Sequence, residues 1–281
     1  MNALSVSPRE TGGLSVSVVV YRPERVQLMR TLASLRAACN ALRGASPDVS
    51  VELFIVDNGG LPDIGAELDE LRLNDLAVST ISGHGNVGYG RGHNLAIERA
   101  RSSFHLVLNP DIDIDQDALV TAFDFFDAHP EAGLLTPRIG DESGHLQYLC
   151  RRYPTLLDLL IRGFLPGRMC KLFAARLARY EMRDLINERD IVWDPLIVSG
   201  CFMLFRTQLL QTLAGFDPRY FLYFEDYDLS LRTHEFARVV YAPAVRVLHH
   251  GGGAAGKGAA HIRMFAASAF KFFNRFGWKW L

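Results

Sequence analysis

Two groups of acidic side chains stand out because their spacing suits metal and proton chemistry. The first is Asp111-Ile-Asp113-Ile-Asp115, which follows an apolar segment. Alternate residues of an extended segment point the same way, so these carboxylates can converge. Mg²⁺ takes oxygen ligands, usually one or two carboxylates together with substrate phosphates. We predict that Asp111 and Asp113 hold such a divalent cation, and that Asp115 caps the helix that follows. The alternative is a solvated acidic turn.

The second group is Glu225, Asp226 and Asp228, which lie among the aromatic residues of Phe221-Leu-Tyr-Phe-Glu-Asp-Tyr-Asp-Leu229. Carboxylates beside aromatic rings are partly desolvated, which raises their pKa and makes an ionised one a better base. Acids are also favoured at a helix N-terminus, and the segment 226–235 is predicted to be helical. Both interpretations can hold together, with Asp228 serving the helix and Asp226 the chemistry.

Two further motifs allow more than one interpretation. His249-His250 directly precedes glycines at positions 251, 252, 253, 256 and 258, so His249 is either a metal ligand or a packed histidine. Gly83-His-Gly85-Asn-Val-Gly88 fits the G-x-G-x-x-G fingerprint and suggests an NAD-dependent oxidoreductase as an alternative. Two predicted strands precede this motif, however, whereas a dinucleotide fingerprint usually opens the first βαβ unit.

The elements that must position these residues alternate between strand and helix. Short β-branched or apolar runs predict strands, and three- and four-residue apolar spacing predicts helices. The predicted strands are 14–20, 51–56, 77–81 and 104–108, with strand-rich segments at 191–205 and 238–248. The predicted helices include 28–42, 94–101, 116–129 and 207–213. This order favours an α/β fold with a mainly parallel sheet, whose ligand site lies beyond the carboxyl ends of the strands, where Asp57 and Asp111 fall.

Composition excludes several classes of protein. The chain has 281 residues, 49% hydrophobic and 22% charged, which is typical of a globular protein. Its formal net charge of −1 argues against nucleic acid as a partner bound through bulk positive charge. The four dispersed cysteines indicate neither a disulfide framework nor a zinc cluster, so we expect a reducing, cytoplasmic location. No signal peptide and no transmembrane segment is predicted.

The segment 151–189 has a different character. It contains nine basic and four acidic residues, with leucines and phenylalanines in helical pieces broken at Pro166-Gly167. The chain closes with Phe265, Phe272, Phe273, Trp278 and Trp280 among Lys and Arg residues. Such segments either bind the surface of an anionic bilayer or pack as a solvated insertion and a core-bound tail. We keep both, and expect at most peripheral attachment to the inner face of a bacterial cytoplasmic membrane.

Eight motifs in order resemble glycosyltransferase family 2, in its rhamnosyltransferase-like branch of bacterial cell-surface polysaccharide assembly. The resemblance extends over residues 15–257. Its motifs are Ser17-Val-Val-Val-Tyr21, Val56-Asp57-Asn58-Gly59, Asn86-Val-Gly-Tyr-Gly-Arg-Gly-His-Asn94, Asn109-Pro-Asp-Ile-Asp113, Ser199-Gly-Cys-Phe-Met-Leu-Phe-Arg206, Gly215-Phe-Asp217, Phe221–Leu229 and the histidine–glycine loop.

The resemblance implies one GT-A domain with a nucleotide-sugar-binding half (14–140), an acceptor-binding half (141–258) that contains the basic insertion 151–189, and a C-terminal amphipathic helix and tail (259–281). It implies inverting transfer of a sugar, best matched by L-rhamnose from dTDP-rhamnose, to a saccharide or lipid-linked saccharide, with Mg²⁺ or Mn²⁺ as cofactor.

The site residues implied by the resemblance form three sets. Asp226 matches the catalytic base, with Glu225 beside it. Asp111, Asp113 and His249 match the metal ligands. The nucleotide-sugar contacts are Tyr21, Asp57, Asn86, Gly88, Arg91, Asn94 and Asp111. Besides the oxidoreductase, the alternative function is a non-catalytic carbohydrate-binding protein at a membrane surface.

Overall fold

The computed structural model describes residues 12–165, 167–251 and 258–281. Its strands are β1 (Leu14–Val20), β2 (Val51–Asp57), β3 (Ala77–Ile81), β4 (Phe104–Leu108), β5 (Ile112–Ile114), β6 (Ala132–Gly140), β7 (Val192–Trp193), β8 (Phe202–Arg206) and β9 (Arg238–His249). Its α-helices are α1 (Arg25–Ala45), α2 (Gly65–Leu73), α3 (Tyr89–Ile97), α4 (Ala118–Ala128), α5 (Leu156–Phe164), α6 (Gly167–Cys170), α7 (Ala174–Tyr180), α8 (Thr207–Thr212), α9 (Glu225–Thr233) and α10 (Gly258–Phe276).

One nine-stranded sheet organises the molecule, in the order β3-β2-β1-β4-β8-β6-β9-β5, with β7 paired to β9. The strands β3, β2, β1 and β4 are parallel to one another, and β6 is parallel to β9. β8 runs antiparallel to both β4 and β6. The α/β fold predicted from the alternation of elements is confirmed, because the parallel part of the sheet requires helical crossovers.

Helices cover both faces of the sheet. Leu106 and Leu108 point into the larger core cluster with residues of α1, α2 and α4. Val107 points the other way, into a cluster with residues of α8 and α9. This alternation along a fully buried strand is what a sheet covered on both faces requires. It leaves the carboxyl ends of β1, β2 and β4 as the open edge for a ligand site.

Two local predictions are corrected by the structure. Helix α3 begins at Tyr89, five residues before the predicted start, because close packing compensates for its glycines: a Cβ at Gly92 would lie 2.9 Å from Val19 Cγ1. Asp115 does not cap α4, which begins at Ala118 with Asp117 at the N-cap position and no side-chain cap. The Asp115 backbone carbonyl instead accepts from the Ala118 N–H.

The basic segment and the tail pack against each other. Helix α5 starts at a capping box in which Thr155 Oγ1 accepts from the Asp158 N–H and the Asp158 side chain accepts from the Thr155 N–H. The next two N–H groups, of Leu156 and Leu157, donate to the carbonyls of Lys279 and Trp280. Phe272 and Phe273 of α10 are fully buried in an aromatic cluster with Phe224. No helix among the described residues is both long and apolar enough to span a bilayer.

Candidate active site

Residues after β1 and β2 form the first part of the open edge. Asp57 Oδ1 accepts from the N–H groups of Gly59 and Leu61, at 2.8 and 3.2 Å, so this carboxylate shapes the turn. The Tyr21 side chain is 52% exposed and lies against Gly59, where a Cβ would be 3.5 Å from Tyr21 Cε2. Asp57 and Tyr21 are therefore brought together at the strand ends, with the Tyr21 ring open to solvent.

The loop before α3 is tied to this edge by Asn58. Its amide donates to the Gly88 carbonyl at 3.0 Å and its Oδ1 lies 3.0 Å from His84 Nε2. Asn86 Oδ1 accepts from the Gly88 N–H. Gly88 has a φ of +90° and no room for a side chain, because a Cβ would lie 2.3 Å from the Phe221 carbonyl oxygen. Asn86 and Gly88 thus set the position of the helix N-terminus.

Arg91 and Asn94 are directed elsewhere. Arg91 Nε donates to the Pro218 carbonyl at 2.6 Å. The Asn94 amide donates to the Phe216 carbonyl and its Oδ1 accepts from the Phe216 N–H, both at 2.8 Å. The structure does not bring these two side chains to the strand ends with Tyr21 and Asp57, because their hydrogen-bonding groups hold the segment 216–218 against α3.

Asp111 and His249 form a pair whose geometry is set by Gln147. His249 Nε2 lies 3.5 Å from Asp111 Oδ2. The Gln147 amide donates to the His249 backbone carbonyl at 3.1 Å, so its Oε1 faces His249 Nδ1, also at 3.1 Å. Because an amide oxygen only accepts, Nδ1 carries a proton, and Nε2 is the nitrogen that faces the carboxylate. This orientation directs Nε2, the ring nitrogen available to a metal ion, toward Asp111 Oδ2.

Other features of the Asp111 carboxylate also suit the binding of a cation. Its Oδ1 is buried and has no hydrogen-bond partner among the described residues. A Cβ at Gly251 would lie 2.0 Å from Asp111 Oδ2 and 3.0 Å from His249 Nε2, so only glycine leaves this space open. Burial raises the pKa of Asp111, but His249 and the side chain of Asn109 outweigh it and leave the pKa below its usual value. The described residues contain no group of three or more His, Cys, Asp or Glu with metal-binding geometry.

Asp113 is placed in a separate cluster. Its carboxylate accepts from Arg30 at 2.9 Å and from His250 Nε2 at 2.7 Å. The other nitrogen of His250 lies 2.9 Å from Glu142 Oε1, so both ring nitrogens face carboxylates. These carboxylates raise the pKa of His250 despite the opposing effect of its burial. The structure therefore brings Asp111 together with His249 and holds Asp113 through Arg30 and His250.

The second acidic group sits at the N-terminus of α9. Tyr223 and Phe224, just before it, both have left-handed backbone conformations, with φ of 70° and 65°. Strain of this kind persists only where the surroundings impose it, and it is common at functional sites. Asp226 Oδ2 accepts from the Gly200 N–H and Oδ1 from the Tyr227 N–H, each at 3.0 Å. Asp228 is fully buried and pairs with Arg232 and with Arg275 of α10, so it is structural.

Glu225 and Asp226 differ in how their charge is stabilised. Burial raises the pKa of Glu225 to about 8, and its Oε2 has no hydrogen-bond partner among the described residues. Burial also raises the pKa of Asp226, but the N–H groups of Gly200 and Tyr227 and the charge of Arg151 oppose that rise. A carboxylate that accepts backbone N–H bonds keeps its charge more easily than one that accepts none. Within the pair, burial thus favours the proton on Glu225, and the backbone N–H bonds favour the negative charge on Asp226.

Tyr89 and Cys201 lie between the two acidic groups. Tyr89 donates to the Gly200 carbonyl at 2.6 Å, and burial followed by the charges of Cys201, Glu225, Asp226 and Asp111 raises its pKa well above the usual value. Burial raises the pKa of Cys201 to about 12, and Asp111 and Asp226 add to the effect. Residues 115 positions apart in the sequence thus line one site, since both charges act on the same two side chains.

Sequence reasoning missed several residues that complete this site: Tyr89, Asn109, Gln147, Arg151, Gly200 and Gly251. Tyr89, Asn109 and Gly200 lie inside the motifs 86–94, 109–113 and 199–206, so their membership of these motifs could have identified them. Gln147 and Arg151 carried no signal, because each meets its partner only through the tertiary fold. The predicted glycine loop lies outside the described residues at positions 252–257.

The mixed α/β sheet has the GT-A fold, and solved structures match it. The crystal structure of TarS 1-349 from S. aureus aligns with a TM-score of 0.56 and 18% identity, covering 93% of this chain and 72% of that one. The structure of GalNAc-T7 with UDP, GalNAc and Mn²⁺ aligns with a TM-score of 0.58 and 14% identity, covering 86% of this chain and 44% of that one.

The sequence itself defines the family. The model of glycosyl transferase family 2 matches residues 15–213, and the chain belongs to this family. N-acetylglucosaminyl-diphospho-decaprenol L-rhamnosyltransferase of Mycobacterium tuberculosis is 29% identical over 283 residues, covering 93% of this chain and 84% of the relative. Rhamnosyltransferase WbbL of Escherichia coli is 28% identical over 179 residues, covering 60% and 63%.

Family membership confirms the predicted glycosyltransferase and removes support for the oxidoreductase. The glycine fingerprint follows β3, which is the third strand along the chain and lies at an edge of the sheet. A dinucleotide fingerprint usually follows the first strand along the chain. A Cβ at Gly83 or Gly85 would contact nothing within 4 Å. The third glycine, Gly88, whose role in a dinucleotide fingerprint is close helix–strand packing, instead packs against the Phe221 carbonyl oxygen.

Proposed function

We propose that this protein transfers L-rhamnose from dTDP-rhamnose, with inversion and with a divalent metal, to a lipid-linked saccharide acceptor. The observation that carries the proposal is the pairing of Asp111 with His249, together with an Asp226 carboxylate that two backbone N–H groups hold in the same site. The names of two relatives support rhamnose as the sugar. A structural neighbour solved with UDP-GlcNAc supports a nucleotide-sugar as the class of donor.

The donor end is assigned to the edge formed by β1, β2 and β4. Asp111 and His249 would hold Mg²⁺ or Mn²⁺, which supplies positive charge to offset the departing diphosphate. Gln147 orients His249 by accepting its Nδ1–H, and Gly251 leaves the space open. Tyr21 offers an exposed ring to the base, and Asp57 fixes the turn that faces the ribose. Asp113 stays a candidate ligand only if its pairs with Arg30 and His250 open.

The acceptor end is assigned to Asp226. Its carboxylate takes the proton of the attacking hydroxyl while that oxygen bonds to the anomeric carbon and the diphosphate leaves from the opposite face. Inversion needs this one base and no protein nucleophile. Glu225 keeps its proton at neutral pH, so it adds no second negative charge beside the base. We assign donor binding to the half 14–140 and acceptor binding to the half 141–258, with 259–281 as the tail.

Peripheral membrane contact is part of the proposal. Eight of the fifteen exposed large hydrophobic side chains in the described part of the chain fall within residues 160–172 and 262–281, among them Leu172, Phe270 and Trp280. The inner face of α10 packs in the aromatic cluster, as expected for a core-bound tail. Its outer face is the one that we assign to the bilayer surface. Basic residues interleaved with exposed aromatic ones suit an anionic lipid surface.

Calorimetry tests the donor assignment. We expect dTDP to bind tightly only with Mn²⁺ or Mg²⁺ present, and UDP and GDP to bind more weakly. Rhamnose transfer from dTDP-rhamnose, followed by product analysis, then tests the sugar and the inversion. Tight binding of NAD without metal, or donor binding that is indifferent to metal, would overturn the proposal.

Liposome flotation tests the membrane contact. We expect the protein to bind anionic vesicles at low salt and to dissociate at high salt, because screening weakens exposed charge interactions. Phe270→Ser with Trp280→Ser should reduce binding severalfold. The control is Phe236→Ser, which removes a ring outside the two segments whose exposure, 52%, is similar to the 58% of Phe270. Equal loss in the control contradicts the assignment of this surface.

A further inference from the structure

A cavity of about 240 Å³ lies between the basic segment and the C-terminal tail, and the mechanism above does not use it. Its wall includes Arg152, Arg176, Arg179 and Lys279, with the hydroxyl-bearing side chains of Thr155 and Tyr153. The tail forms part of this wall because the carbonyls of Lys279 and Trp280 accept from the first turn of α5. The cavity is therefore built by two segments that are far apart in the sequence.

The charge in this cavity is not fully compensated. Arg176 pairs with Asp158 at 2.6 Å, and Arg152 pairs with Asp184 at 2.7 Å. The two Asp158 oxygens are both occupied, one by Arg176 and the other by the capping box with Thr155. Arg179 and Lys279 have no carboxylate partner among the described residues, and both are exposed. Two cations are thus left to bind an anion at the cavity mouth.

The position of the cavity relates it to both the membrane-facing surface and the catalytic base. On one side, Leu281 lines the cavity and is 85% exposed beside Trp280. On the other side, Tyr180 lines the cavity and its hydroxyl lies 2.8 Å from that of Tyr227, the residue after Asp226. The cavity thus lies between the exposed apolar side chains of the tail and a hydroxyl pair that reaches α9, the helix that carries Asp226.

We propose that this cavity binds the diphosphate of the lipid-linked acceptor, with Arg179 and Lys279 as its principal contacts. Arginine and lysine are the side chains that bind phosphate oxygens most strongly, arginine through two parallel N–H bonds and lysine as a point charge. The inference rests on the proposed function, because it names where the charged part of the acceptor is held. It adds a binding site that lies apart from the Asp111–His249 pair.

Direct binding tests the site without catalysis. Full-length protein is titrated with farnesyl diphosphate and with inorganic pyrophosphate, in EDTA so that no metal occupies the donor end. We expect both probes to bind, and Arg179→Gln with Lys279→Gln to weaken binding about tenfold or more, the size of one charge-assisted hydrogen bond. Arg179→Lys with Lys279→Arg should keep most of the affinity, since it keeps both charges.

The matched control is Arg168→Gln with Lys171→Gln, which removes two exposed cations of the same segment outside the cavity. This pair should leave probe binding unchanged. Equal loss in the control means that the probes respond to bulk charge, which overturns the proposal. Probe binding that stays unchanged in Arg179→Gln with Lys279→Gln also overturns it, because the probes would then be held elsewhere. Thermal unfolding of each variant shows whether its fold is kept.

Transfer assays separate this inference from the proposed function. With an active enzyme, the Arg179→Gln, Lys279→Gln variant should raise KM about tenfold for a diphosphate-linked acceptor. It should leave KM unchanged for the donor and for the same sugar on an uncharged alkyl chain. Equal KM changes for both acceptors overturn the cavity assignment. If no sugar is transferred by any variant but the binding difference holds, the proposed function fails and the anion site stands.

Discussion

Asp111 and Asp226 are both partly buried carboxylates near Tyr89 and Cys201, but their surroundings are opposite in kind. Burial raises the pKa of each. At Asp111 a histidine and Asn109 reverse that effect, and the pKa ends below its usual value. At Asp226 two backbone N–H groups only limit it, and the pKa ends above.

The difference shows how one residue type is prepared for two tasks. A carboxylate with a low pKa and an unpartnered buried oxygen is ready to bind a cation. A carboxylate with a raised pKa and no side-chain cation hydrogen-bonded to it, among the described residues, is ready to take a proton. The partners of each carboxylate, rather than its burial alone, decide which task it suits.

The largest effect is expected from Asp226→Asn. It removes the proposed base but keeps an acceptor oxygen for one of the two backbone N–H groups. Transfer should fall by roughly 10² to 10⁴-fold, the usual contribution of a general base, while metal-dependent donor binding stays within about twofold. Single-turnover transfer and calorimetry measure the two quantities. An active variant, or one that loses donor binding in proportion, would make Asp226 something other than the base.

Gln147→Leu tests the role of Asp111 by removing the side chain that orients its partner His249. Without the amide, no group holds the proton on His249 Nδ1. The ring can then turn, or its proton can move to Nε2, the nitrogen that faces Asp111. The concentration of Mn²⁺ needed for half-maximal donor binding should rise roughly 10- to 100-fold, as for other residues that orient a metal-binding histidine. Gln211→Leu is the control, since its amide binds the carbonyls of Ile97 and Ala100 away from the site. An unchanged metal requirement in Gln147→Leu contradicts the pairing.

The smallest effect concerns Glu225→Gln and the stability of the apo-protein. The pKa of Glu225 is raised to about 8 in the folded state, above its usual 4.5. The folded protein therefore loses stability as pH rises from about 4.5 to about 8, since only the unfolded chain releases this proton easily. Glu225→Gln removes that loss, so its Tm relative to the natural protein should be a few °C higher at pH 8 than at pH 5. Equal Tm differences at both pH values would show that Glu225 is ionised.

The fold and the outline of the site could be predicted because their signals are local. β-branched runs such as Leu14–Val20 form buried strands, and turn residues place Asp57 and Asp111 at the ends of parallel strands. Predictions from local residue patterns were wrong about helix boundaries where tertiary packing outweighs the helix propensity of the residues. Helix α3 starts at Tyr89 although it contains Gly90 and Gly92, because these glycines allow close contact with Phe216 and Val19.

The sequence by itself determined the family, the order of motifs and which acidic residues are candidates, since these depend on residue types close together along the chain. Only the tertiary structure decided the partners. Gln147 reaches His249 across 102 positions, and Asp113 is joined to Arg30 and His250 although its spacing resembles that of Asp111. Spacing fixes where a side chain can point, but charge and pKa are set by neighbours that the folded sheet brings together.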